Sequence, residues 1–151
     1  MFPSSLNQVA MLAAEVRMAI EDLAIEIHGD NPRAVYVEDM NGMCAIASYA
    51  LREVLIDHEY DPKMILAVVD KTGFSHCWVE LDGWIIDITA TQFGPEYPNV
   101  HIVPIGDEDP MNKIYVQCHR RDYRAVHGWG CVSPDYHMTW INDLCRRLRN
   151  H

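Results

Sequence analysis

Residues 75–89 read Ser-His-Cys-Trp-Val-Glu-Leu-Asp-Gly-Trp-Ile-Ile-Asp-Ile-Thr. The pair Asp82-Gly83 is one of the strongest signals for a two-residue turn between antiparallel strands. The sequence therefore predicts a β-hairpin whose two strands cover residues 75–81 and 84–89. A turn of two residues also fixes the register of the strands, and the register decides which face each side chain occupies.

The predicted register brings two titratable side chains together. Because side chains alternate along a strand, His76 and Asp87 share one face as diagonal neighbours, while Cys77 points to the opposite face and is expected to be structural. A carboxylate beside an imidazole holds one tautomer and stabilises the cation. Trp78 lies on the His76 face as a candidate wall of a site. Glu80, nearer to the turn, is expected in solvent.

A helix carrying a cysteine is predicted before the hairpin. The segment Asn41-Gly-Met-Cys44 precedes apolar residues at helical spacing, so a helix should begin near Asn41 or Gly42 and run to about Asp57. Asn41 is the expected N-cap and Cys44 falls in the first turn. There the helix dipole and a nearby imidazolium would lower the pKa of the thiol below its free value of about 8.5. The unpaired backbone N–H of Cys44 is a candidate oxyanion donor.

The rest of the chain completes a mixed architecture. Helical periodicity covers Val9 to Ile27 and the segment from about Tyr136 to Arg149, and further strands are predicted at Lys63–Val69, His101–Ile105 and Lys113–Gln117. These elements predict an α+β fold in which N-terminal helices pack on an antiparallel sheet of about five strands, followed by a C-terminal helix. The length of 151 residues fits a single domain over residues 1–151.

Composition excludes several functional classes. A formal net charge of -10 disfavours nucleic acid and anionic membranes as partners. The five cysteines lack the spacing of a disulfide framework, which favours a reducing compartment. The sequence contains neither a predicted signal peptide nor a predicted membrane span, so a cytoplasmic location is expected.

The segment Asn41-Gly-Met-Cys44-Ala together with residues 75–90 resembles the papain-like and transglutaminase-like superfamily of cysteine hydrolases. The resemblance covers residues 36–93. It implies a cysteine at a helix N-terminus packed on a sheet that carries His and Asp on adjacent strands. It further implies thiol acyl chemistry on an amide or ester, without a cofactor and with a protein or peptide as substrate. The superfamily contains peptidases, transglutaminases, deamidases and acetyltransferases, among which a peptidase or amidase best fits so short a chain.

The resemblance also implies roles for individual residues. Cys44 would be the nucleophile, His76 the general base and then acid, and Asp87 the carboxylate that orients His76. The papain branch places a glutamine about six residues before the cysteine to complete the oxyanion hole, whereas this chain has Glu38 there. Candidate substitutes for that donor are Asn41 and Gln92.

Two other functions remain open on the sequence alone. The same fold could serve as a protein-binding module without catalysis. A zinc-binding domain is the weaker alternative, since zinc sites favour two tight ligand pairs. The C-terminal half has a single close mixed pair, His127 and Cys131, among the scattered residues Cys118, His119, His127, Cys131 and His137. No metal site is therefore predicted.

Overall fold

The computed structural model describes residues 4–28, 43–69, 74–106, 119–122 and 134–149. Its helices are α1 (Asn7–His28), α2 (Cys44–Asp57) and α3 (Pro134–Arg149), and short 3₁₀ helices cover Ser4–Leu6 and Ala90–Phe93. Its strands are β1 (Lys63–Val69), β2 (Phe74–Leu81), β3 (Trp84–Asp87), β4 (His101–Pro104) and β5 (His119–Asp122). The predicted α+β class is confirmed.

The five strands form one sheet in the order β4-β3-β2-β1-β5, and every neighbouring pair is antiparallel. Strand β3 ends at Asp87, two residues before the predicted end, because the chain turns into the 3₁₀ helix Ala90–Phe93. The edge strand β5 was not predicted. The strand predicted at Lys113–Gln117 lies outside the described residues.

The hairpin turn has the geometry that its sequence predicts. Asp82 and Gly83 have φ angles of 51° and 86°, the left-handed pair that matches the right-handed twist of the flanking strands. The register is also as predicted, with Leu81 opposite Trp84 and Val79 opposite Ile86. The turn thus sets the face of every residue in the hairpin.

The main core lies between the helices and one face of the sheet. Helix α2 packs against β2 and against both other helices. The buried apolar side chains on this side include Val16, Ile20, Leu23, Leu51, Leu55, Met64, Val79, Ile86, Ile141 and Leu144. A smaller buried cluster of Ile65, Trp78 and Ile85 occupies the opposite face. By strand alternation His76 and Asp87 belong to that opposite face, with Trp78 and Ile85.

Candidate functional site

His76 and Asp87 form a buried pair. The Nε2–H of His76 donates to Oδ2 of Asp87 across 2.6 Å, and the two residues are 2% and 0% exposed. The other carboxylate oxygen, Oδ1, accepts from the backbone N–H of Thr89 at 2.8 Å and from its hydroxyl at 3.3 Å. Asp87 is therefore held from both sides, as a carboxylate at the end of a buried strand requires.

Cys44 is the first residue of α2, so its thiol sits at the positive end of the helix dipole. Met43 occupies the N-cap position and makes no side-chain capping bond, while Asn41, the predicted cap, lies outside the described residues. The His76 imidazole and the Cys77 thiol are the groups whose interaction with the Cys44 thiol lowers its pKa. The structure therefore brings all three predicted residues, Cys44, His76 and Asp87, together.

The face predicted for Cys77 is confirmed. Its side chain does point to the helix-facing side of the sheet, where it is 4% exposed within the main core. The start of α2 also packs against this core, and the Cys44 thiol, together with burial, raises the pKa of Cys77. Alternation along β2 predicted the correct face for Cys77, but it did not predict that α2 covers that face.

The electrostatics of the site favour a charged pair. A hydrogen bond from the Cys77 thiol and another from His76 lower the pKa of Cys44 well below its ordinary value, against the opposing effect of burial. Burial alone would lower the pKa of His76, but the charge and hydrogen bond of Asp87, assisted by Cys44, raise it to about 10. The directions of these two shifts favour a thiolate on Cys44 beside an imidazolium on His76.

Gln92 reaches the same imidazole from the 3₁₀ helix Ala90–Phe93. Its amide nitrogen lies 2.6 Å from Nδ1 of His76, the ring nitrogen not bonded to Asp87. The amide N–H can donate to Nδ1 only when the imidazole is neutral, whereas a protonated Nδ1 needs the amide oxygen. The two charge states of His76 thus require opposite orientations of the Gln92 amide. Gln92, one of the two predicted oxyanion donors, is thus beside His76, the candidate general base.

Aromatic and acidic side chains surround the imidazole. Trp78 is fully buried with its ring centroid 5.7 Å from that of His76, which agrees with its predicted place beside the site. Phe93, which the sequence did not single out, meets His76 edge-on at 4.8 Å. The expectation that Glu80 is solvated is wrong, because Glu80 is 8% exposed and accepts a hydrogen bond from the Trp78 indole at 3.1 Å.

Sequence reasoning also missed Arg17 on α1. This residue is 2% exposed, and its guanidinium donates to the backbone carbonyl of Ile88 at 2.7 Å and to the Thr91 hydroxyl at 2.9 Å. It thereby ties α1 to the segment that carries Asp87 and Gln92. A signal was present: Arg17 lies four residues after Ala13 and three before Ile20, within the buried stripe of α1.

No family model, curated protein or solved structure matches the chain. Within the described ranges, no three His, Cys, Asp or Glu side chains are grouped as metal ligands would be. Of the scattered C-terminal residues considered for zinc, Cys118, His127 and Cys131 lie outside those ranges. None of the helices described is long and apolar enough to cross a membrane.

Proposed function

We propose that this chain is a cysteine-dependent amide or peptide hydrolase, or an acyltransferase of the same chemistry, on a transglutaminase-like fold. One observation carries the proposal: the buried Asp87 holds the His76 imidazole at 2.6 Å, and this imidazole is among the groups that lower the pKa of the Cys44 thiol. Charged groups that are buried together cost folding free energy, and strongly shifted pKa values cluster at functional sites. A thiolate–imidazolium–carboxylate arrangement is the one that nucleophilic catalysis needs.

In the acylation step the Cys44 thiolate attacks the carbonyl carbon of an amide, and the carbonyl electron pair moves to oxygen. The resulting oxyanion accepts hydrogen bonds from the backbone N–H of Cys44, at the start of α2, and from the Gln92 amide. Protonated His76 then gives its Nδ1 proton to the leaving nitrogen as the C–N bond breaks. The products are a thioester on Cys44 and a free amine.

In the deacylation step water or an acceptor amine attacks the thioester. Neutral His76 removes a proton from this nucleophile, and the C–S bond breaks to restore the thiolate and the imidazolium. Asp87 stays ionised throughout and keeps the His76 ring oriented, with Nε2 as the nitrogen that it holds. The Gln92 amide rotates when His76 gains or loses its proton. Its oxygen faces a protonated Nδ1, which leaves the NH₂ group to donate to the oxyanion, and its NH₂ group donates to a neutral Nδ1.

The substrate is proposed to be a protein or peptide. The net charge of -10 favours neutral or basic segments over acidic ones. Cys44, Cys77 and Cys145 are free thiols, and a nucleophilic thiolate needs a reducing compartment to persist. We therefore propose a cytoplasmic location for the enzyme.

Alkylation with iodoacetamide tests the thiolate. Cys44 should be modified faster than any other cysteine at pH 6–7, because its lowered pKa keeps it ionised there, whereas the pKa of Cys145 is raised to about 11. In His76→Ala the rate at Cys44 should fall by about tenfold or more. Peptide mapping of all five cysteines measures both effects. Equal rates at Cys44 and Cys145 would overturn the proposal.

A panel of fluorogenic peptide and glutamine amides, with and without an acceptor amine, separates an enzyme from a binding module. Turnover should appear with the wild type and vanish in Cys44→Ala, while Cys145→Ala, which removes another buried thiol, should retain it. Intact-mass analysis should detect a thioester that disappears in hydroxylamine. If these amides bind to the protein but give neither turnover nor a thioester, the non-catalytic binding module is favoured.

A further inference from the structure

Helix α1 is apolar on two opposite sides. Met11, Met18 and Ile25, which we call the apolar row, are 66%, 66% and 52% exposed, more than any other large apolar side chain of the described residues. Seven residues are almost two helical turns, so these side chains lie in one line about 21 Å long. The other side of α1 is buried in the main core and contributes Val9, Val16, Ile20 and Leu23.

Carboxylates run beside the apolar row. Glu15 and Asp22, which we call the acidic row, are exposed, and each lies four residues after a methionine of the apolar row. Residues four apart are neighbours on a helix surface, so each of these methionines has a carboxylate next to it. Among the described side chains neither carboxylate forms an ion pair, whereas Glu26, one turn further along, pairs with Arg147. The acidic row can therefore pair with the cations of a partner.

We propose that this outer side of α1 is a docking surface for an amphipathic helix of another protein, one whose apolar side is flanked by lysine or arginine. The apolar side of that helix packs along the apolar row, and its cations face the acidic row. Helices pair in this way when each presents one apolar line, and the charges beside that line select the partner. The inference goes beyond the proposed function and does not depend on it.

Spacing and charge favour this occupant over others. Successive side chains of the apolar row are about 10 Å apart, which matches two turns of a partner helix. Methionine is flexible and adapts to apolar side chains of different shape. An anionic membrane is repelled by the acidic row and by the net charge of -10. A second copy of this chain brings the same acidic row and the same net charge, so like charge opposes self-association.

The test uses two synthetic helical peptides that differ only in charge. Both have leucines at alternating three- and four-residue spacing, flanked by lysines in one peptide and by glutamates in the other. The lysine peptide should bind in fluorescence anisotropy and the glutamate peptide should not. Met18→Gln, which keeps the chain length and a good helix former, should weaken binding about tenfold. Asp22→Asn should weaken it about twofold to fivefold.

Two matched variants control for general apolar and electrostatic attraction. Ile56→Gln removes an apolar side chain of α2 that is 42% exposed, and Asp61→Asn removes an exposed carboxylate before β1. Both should bind the lysine peptide as the wild type does. The inference is overturned if Met18→Gln loses no more affinity than Ile56→Gln, if Asp22→Asn loses no more than Asp61→Asn, or if both peptides bind equally.

Nuclear magnetic resonance of labelled methionine methyl groups locates the contact. The signals of Met11 and Met18, assigned by substitution, should shift when the lysine peptide is added, while that of Met64, 1% exposed in the main core, should stay. Shifts confined to other methionines would place the peptide elsewhere and overturn the inference. Sedimentation velocity of the protein alone should show a monomer. A dimer that Met18→Gln dissociates would make a second copy the occupant and would also overturn it.

Discussion

The β2–β3 hairpin has a turn end and an open end, and the two are held in different ways. At the turn end, Asp82 and Gly83 adopt left-handed backbone angles and the ladder pairs follow directly. At the open end, beyond Val79 and Ile86, the contacts are made by side chains from α1, α2 and the 3₁₀ helix after β3. Local backbone preference therefore sets the register, and tertiary contacts assemble the site.

Substitutions at the two ends of the hairpin should therefore have different effects, on stability at the turn end and on chemistry at the open end. A change at the turn end should alter the free energy of unfolding and leave the thiolate unchanged. A change to the Asp87–His76 pair at the open end should alter proton transfer first, because the two residues hydrogen-bond directly with each other. The substitutions that follow test that separation.

Asp87→Asn should have the largest effect at the open end. The asparagine oxygen can still accept from Thr89, but its NH₂ group would face Nε2 and force the imidazole into the wrong tautomer. Turnover of any amide found as substrate should fall by roughly 10²–10⁴. The pKa of His76, which Asp87 helps to raise to about 10, should fall, so the alkaline limb of the pH–rate profile should move toward neutrality.

The stability of Asp87→Asn should depend on pH with a defined sign. In the wild type the pKa of His76 is raised from about 6.5 in an unfolded chain to about 10. Its charge therefore stabilises the fold fully below about pH 6.5, and that contribution is lost as pH rises through about 10. Urea titrations should show the deficit of the variant below pH 6.5 and its disappearance above pH 10. A deficit independent of pH would argue against a charged His76.

Arg17→Met should have an intermediate effect, mainly on the free energy of unfolding. The substitution keeps most of the side-chain volume but leaves the Ile88 carbonyl and the Thr91 hydroxyl without their donor. Unsatisfied buried groups of this kind cost about 1–3 kcal/mol each, so the free energy of unfolding should drop by about 2–4 kcal/mol in urea titrations. Displacement of the 3₁₀ helix Ala90–Phe93 should also slow turnover through Gln92.

A matched substitution at the surface serves as control for Arg17. Arg149, also an arginine of a helix, has a side chain 57% exposed and pairs with Asp57. Because exposed ion pairs contribute little to stability, Arg149→Met should unfold close to the wild type. Similar losses in both variants would show that Arg17 has no special function in holding the open end.

The sequence predicted the turn end well and the open end only in part. Alternation fixed the faces of His76, Cys77 and Asp87, since the turn at Asp82-Gly83 allows one register. Alternation carries no information about which helix covers a face, and for that reason the packing of the start of α2 against the core that contains Cys77 was not predicted. Glu80 was placed in solvent because it lies near the turn, and alternation does not reveal that the Trp78 indole, on the same face, donates to it.

Contacts between distant segments were the least predictable. Arg17 and Ile88 are 71 residues apart, and a single arginine in a helical stripe does not reveal its acceptors. Gln92 was a candidate from chemistry alone, since nothing in its local sequence fixes the 3₁₀ helix that brings it to Nδ1 of His76. Helices and strands follow local periodicity, whereas a site built from four elements depends on how they pack.

Gly83→Ala should have the smallest effect. It is the sharpest test of whether the turn end controls stability independently of the chemistry at the open end. Gly83 has a φ of 86°, which an alanine adopts at a cost of about 1 kcal/mol, and a Cβ there would meet nothing within 4 Å. The midpoint in urea should therefore fall slightly while the pH profile of Cys44 alkylation stays that of the wild type. A profile that shifted together with the midpoint would mean that strain at the turn reaches His76 along β2. In that case the register at the turn end and the proton transfer at the open end would be one cooperative unit rather than two.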